Sequence, residues 1–117
     1  GLLLGFAEGV ADKLAGEGIG CDVIDLRTTS PLDEEAIIDS VEVTGRLVVV
    51  DETPPRCGLA VDIAALVAQK AFASLKAPPA LVTPPHTPIP FARELESNYL
   101  PSADKIEAAV RKTLAWK

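Results

Sequence analysis

The sequence predicts an α/β domain in three layers (α/β/α), with helices on both faces of a mostly parallel sheet. Three observations carry this reading. Segments with the apolar period of a helix alternate along the chain with short β-branched runs. One run, Leu47-Val48-Val49-Val50, is continuously apolar between Arg46 and Asp51, as suits a strand covered on both faces. Alanine, valine, leucine and isoleucine supply most of the 48% apolar residues, while aromatics make up only 4%. At 117 residues the chain fits one domain, with a core large enough to need no disulfide staples.

The elements follow in order. Residues 1–18 read as a helix after a short lead: Phe6, Val10 and Leu14 recur every four residues, Ala7 and Ala11 widen the stripe, and Gly16-Glu17-Gly18 ends it. Cys21 to Leu26 reads as a strand around the β-branched pair Val23-Ile24. The next helix has two equally good starts. Ser30 caps it with Pro31 in the first helical position and Asp33 as the reciprocal acid, or Asp33 caps it with Glu34 and Glu35 near the positive helix end. Ala36, Ile37, Ile38 and Val41 form its buried face, and Gly45 stops it. The apolar strand comes next, then a turn over Thr53–Gly58 that feeds a long helix reaching about Lys76.

That helix is apolar nearly all round, with Asp62, Gln69, Lys70 and Lys76 as a narrow polar stripe. Ala60, Ala64 and Ala68 align at i, i+4 and i+8, and small residues let another helix approach closely. Two readings fit: the helix is central in its own domain, or it also packs against another subunit. Ala80-Leu81-Val82-Thr83 reads as a further strand, and Pro84 to Phe91 as an extended surface segment too rich in proline for helix or central strand. A last helix starts near Pro101-Ser102, with Ile106, Ala109, Val110, Thr113 and Leu114 on one face.

Charge and motifs exclude more than they assign. Eleven basic against seventeen acidic residues, net −6, argue against a nucleic-acid groove. No apolar run approaches the ~20 residues of a membrane span, and no signal peptide opens the chain. The expectation is a cytoplasmic protein with Cys21 and Cys57 reduced. Phosphate-loop, dinucleotide-binding and nucleophile-elbow patterns are missing. Two cysteines and the lone His86 are too few for a metal site.

Asp33, Glu34 and Glu35 read as caps and dipole partners. Asp51 and Glu52 end the apolar strand, where open α/β sheets place their ligands, so their claim to function is better. Cys57 opens a helix, where a thiol pKa falls, yet nothing in the sequence brings His86 to it as a base. His86 reads as a loop residue and Arg56 as a solvated cation. No catalytic, cofactor-binding or metal-binding residue is assigned.

Several segments in register carry a resemblance. Val23-Ile24-Asp25-Leu26-Arg27-Thr28, Ser30-Pro31-Leu32-Asp33 and Thr44 to Glu52 resemble the C-terminal, transketolase-like domain of E1 β subunits from 2-oxoacid and acetoin dehydrogenase complexes. Pro88-Ile89-Pro90-Phe91, Leu95-Glu96 and Tyr99-Leu100-Pro101 resemble the same family's tail. Arg56-Cys57 and Pro85-His86-Thr87-Pro88 are most similar to acetoin dehydrogenases, with pyruvate and branched-chain enzymes next.

The resemblance implies an α₂β₂ heterotetramer using thiamin diphosphate and Mg²⁺, neither held by this domain. It implies as partners the E1 α subunit, a second β subunit and the E2 subunit-binding domain. It also implies that residues 1–117 are one domain of a longer β subunit, with the family's first strand ahead of Gly1 absent. The domain is then expected to assemble subunits and dock E2, with Ala60, Ala64, Ala68 and Lys76 at the contact. Lys76 stands where relatives often carry an acid. Two other readings are chemistry at Cys57 or Asp51, and a free-standing α/β ligand-binding or regulatory module.

Overall fold

The computed structural model of the chain describes residues 2–25, 33–51, 59–84 and 101–116. Its elements are α1 (Leu2–Ala15), α2 (Glu34–Thr44), β1 (Val48–Val50), α3 (Leu59–Lys70), a 3₁₀ turn (Phe72–Ser74), β2 (Ala80–Val82) and α4 (Ala103–Ala115). β1 and β2 run parallel, with Val48 opposite Ala80, Val49 opposite Leu81 and Val50 opposite Val82.

Alternation along β1 divides the core into two layers. Val49 packs with Ile37 and Val41 of α2 and with Ala60, Ile63 and Val67 of α3. Val48 and Val50 pack instead with Val10 and Leu14 of α1, Val82 of β2 and Ile106 of α4. Helices α2 and α3 therefore cover one face of the sheet, and α1 and α4 the other. This is the three-layer α/β arrangement that the alternating sequence predicts.

Local signals fix the helix ends. Gly18 takes φ 85°, letting Gly18 N–H donate to Ala15 O at 3.0 Å and Ile19 N–H to Leu14 O at 2.9 Å, which closes α1 in a Schellman turn. Of the two starts open to α2, the structure uses Asp33, whose carboxylate accepts from Ala36 N–H at 3.0 Å. Gly45 ends α2 at φ 75°, and a Cβ there would stand 2.9 Å from Lys76 Cδ. Ser102 caps α4, accepting from Lys105 N–H at 3.3 Å.

Two expectations need correcting. Residues 21–25 join no strand, and Val23 and Ile24 are exposed. A β-branched pair favours the extended form, but a strand also needs a neighbour for its N–H and C=O groups. The segment is tied to α2 instead, where Ser40 Oγ donates to Asp22 Oδ2 at 2.8 Å. The long helix also stops early, at Lys70 rather than Lys76. Its last bond is Ala71 N–H to Val67 O, and the chain then tightens so that Lys76 N–H reaches Gly45 O at 2.7 Å. A continued α-helix would hold that N–H in its own ladder.

α1 and α4 are also joined at the surface. Lys13 pairs with Glu107 at 2.9 Å, and Arg111 bridges Glu107 at 2.9 Å and Glu17 at 2.7 Å. Hydrogen bonds from Lys13 and Arg111 hold the Glu107 carboxyl below its ordinary pKa of 4.5. A depressed folded-state pKa means the contribution is present above the unfolded value and is lost as pH falls through the folded one. Glu107→Gln is therefore expected to flatten the loss of stability on the acid side of 4.5. Urea midpoints taken from neutral pH to about pH 3 check this, and an unchanged acid limb would contradict it.

Candidate functional site

Helix α3 carries the candidate surface. Its start is held from the sheet: Asp51, just past β1, accepts a hydrogen bond from Leu59 N–H at 3.2 Å through its carboxylate. That places Asp51 at the positive end of a helix, a structural occupation for the strand-end acid singled out above. The inward row is Ala60, Ile63, Val67 and Ala71, all buried. The outward row is Val61, Ala65, Ala68 and, past the helix end, Phe72, spaced i, i+4, i+7 and i+11 and all exposed. Val61 keeps 43% and Phe72 73% of its surface in solvent, so apolar side chains bound both ends of this row. Small side chains fill its middle.

The expected interface residues therefore part company. Ala60 is fully enclosed in the domain's own core and cannot touch a partner. Ala64 is half-buried at the edge, while Ala68 lies in the outward row. Lys76 is exposed, and its aliphatic stem lies over Gly45 at the end of α2. Val61, Ala65 and Phe72 were not anticipated. On a helix apolar all round, several stripes fit the sequence equally well, and only packing against Val49 selects the phase.

A second feature lies beside the sheet. An open cavity of about 520 Å³ runs between residues 19–25 and β1, walled by α1, α2 and α4. Cys21 faces it; burial and the neighbouring Asp22 carboxylate raise its thiol pKa. That is the opposite of the activation a nucleophilic thiol requires. Among the described residues no three histidine, cysteine, aspartate or glutamate side chains converge as metal ligands. Glu52, Arg56, Cys57 and His86 lie outside the described residues.

Comparison with known proteins gives this geometry its context. Residues 1–106 match the family model described as the transketolase C-terminal domain. The chain belongs to that family. The β subunit of acetoin:2,6-dichlorophenolindophenol oxidoreductase from Cupriavidus necator is 56% identical over 114 residues, covering 97% of this chain and 34% of the relative. The β subunit of the pyruvate dehydrogenase E1 component from Bacillus subtilis is 43% identical over 106 residues, 91% of this chain and 32% of the relative. This transketolase C-terminal domain thus spans about a third of the length of these curated relatives.

A solved structure titled as a split-gene transketolase, an inactive β4 tetramer, superposes on 100% of this chain with a TM-score of 0.80 at 27% identity. The chain covers 37% of that protein. The expected family and fold class are both found. Among the described residues, no helix of this domain is long and apolar enough to cross a membrane.

Proposed function

We propose that this transketolase C-terminal domain is the assembly and docking domain of the β subunit of a thiamin-diphosphate-dependent E1 dehydrogenase. The observation that carries the reading is the exposed apolar row Val61, Ala65, Ala68 and Phe72. An apolar stripe in water is costly, and small residues between larger ends suit close packing of a second helix.

The contact it makes is with a second β subunit, next to the seat of the E2 subunit-binding domain, and the E1 α subunit completes a heterotetramer. Lys76 stands beside the row as a cation for an acidic group on the docked partner. In this reading residues 1–117 form one domain of a longer cytoplasmic β subunit. Thiamin diphosphate and Mg²⁺ are then held by other parts of the assembly, and this domain contributes position without chemistry. Acetoin is the substrate favoured by the similarity, with pyruvate and branched-chain 2-oxoacids next.

Sedimentation of the purified chain, alone and with the cognate E2 subunit-binding domain, tests the proposal. A dimer that takes up the E2 domain supports it. A monomer indifferent to E2 at high micromolar concentration removes docking from this domain.

A further inference from the structure

In side-chain size the outward row of α3 reads alike from either end. Val61 and Phe72 are the large apolar residues that bound it, and Ala65 and Ala68 lie between them. In charge the two ends differ. Asp62 stands just inside the Val61 end and Lys70 just inside the Phe72 end, all exposed. Asp62 and Gln69, spaced i and i+7, lie along one edge of the row. Asp62 has no hydrogen-bond or ion-pair partner among the described residues. Lys70 pairs with Glu34 at 3.3 Å, but both side chains keep more than half their surface in solvent. Such a pair holds the ammonium only weakly and leaves it able to turn to another carboxylate.

A row of this kind is complementary to its own reverse. In a two-fold contact, if one residue touches a second, the second touches the first in turn. Two copies of α3 can lie on one another about such an axis in two directions. Running parallel, like meets like: Phe72 on Phe72, and Asp62 and Lys70 each opposite the same charge, which is unfavourable. Running antiparallel, Val61 of each copy lies on Phe72 of the other, and Ala65 lies on Ala68. Asp62 then comes beside Gln69 and Lys70 of the other copy, and receives the donors that its own chain does not give it. The small central residues let the helix axes approach while the larger ends close over them. A second copy meets all these requirements by symmetry, with no further demand on sequence.

We infer that the α3 row receives a second copy of this chain as an antiparallel α3–α3 pair about a two-fold axis. Val61 packs on Phe72 and Ala65 on Ala68, and Asp62 is held by Gln69 and Lys70 across the contact. The inference rests on the docking reading of this row and deepens it, by fixing the direction and register of the contact. Lys76, beyond Phe72, lies outside the paired segment and stays uncovered by it.

Disulfide mapping in the chain carrying Cys21→Ser and Cys57→Ser tests it. Asp62→Cys and Gln69→Cys are made in separate proteins, both at exposed positions, so the apolar row stays intact and folding is spared. The two proteins are mixed, oxidised gently and separated without reductant, with sedimentation run on the same mixture. In the antiparallel register position 62 of one copy lies near 69 of the other, while the two positions 62 stand about 14 Å apart along the helix axis, too far to bridge. The mixed 62–69 disulfide should therefore exceed the 62–62 disulfide by roughly tenfold. A 62–62 disulfide in equal or greater yield would mean a parallel pair and overturn the inference. Dimers by sedimentation with no disulfide through either position would place the contact elsewhere, overturning the inference while the docking reading stands. A monomer that also ignores the E2 domain would remove the docking reading, and this inference with it.

Discussion

Ala68→Arg is expected to leave the isolated chain folded, with unfolding free energy within about 0.5 kcal/mol of the parent, because the site is exposed and off the core. The same change should weaken association at the α3 face by at least tenfold, or about 1.4 kcal/mol, measured as a sedimentation dissociation constant. A long charged side chain in the middle of a small-residue row keeps the opposing helix from closing on Val61 and Phe72, and leaves a cation in an apolar contact. Ala60→Leu should behave in the reverse way. It overpacks an enclosed position against Val49 and costs roughly 1–3 kcal/mol of folding stability, with any loss of association following from that. Association of Ala68→Arg at parental strength would remove the outward row from the interface and sink the docking proposal in its present form.

This pair of variants also marks where the sequence stops being readable. α2 and α4 were legible because their signals are local: Asp33 and Ser102 cap, Gly45 breaks, and one face of each is clearly apolar. The β1 run was legible because nothing other than burial on both faces accounts for consecutive valines there. The phase of α3 was not, since its alanines fit inward and outward rows alike until β1 supplies the reference.

The Cys21–Leu26 segment fails for a related reason. Val23-Ile24 has the propensity of a strand, but pairing is a property of two segments, and among the described residues neither β1 nor β2 takes residues 21–25 as a ladder partner. For the site, the sequence correctly singled out Asp51 as a strand-end carboxylate. Its bond to Leu59 N–H, which gives it a structural role, depends on how the chain returns to start α3.

Leu14→Ala is expected to be the most damaging conservative change on the α1 side. Leu14 is fully enclosed between Val10, Val82 and Ile106, where α1 meets β2 and α4. Truncation there should cost about 3 kcal/mol, through lost transfer free energy and an unfilled cavity. That is a large share of the roughly 5–15 kcal/mol that holds a small domain folded. A fall in Tm of roughly 12 °C follows for a chain of this size. Val43→Ala on α2 is the matched control: the valine is 82% exposed, and its removal should change stability by less than about 0.5 kcal/mol.

The location of the damage is as informative as its size. Besides Leu14, α1 is held by buried Val10 and the flanking Phe6 in the same core layer, while the surface ion pairs Lys13–Glu107 and, just past the helix, Glu17–Arg111 are each of modest strength in water, and α1 borders the open cavity beside β1. With Leu14 shortened, exchange protection should be lost first across α1, while α2, α3 and Val49 keep theirs. Uniform loss across both faces would mean that the two core layers unfold as one unit, and that the sheet between them is more continuous than two paired strands make it.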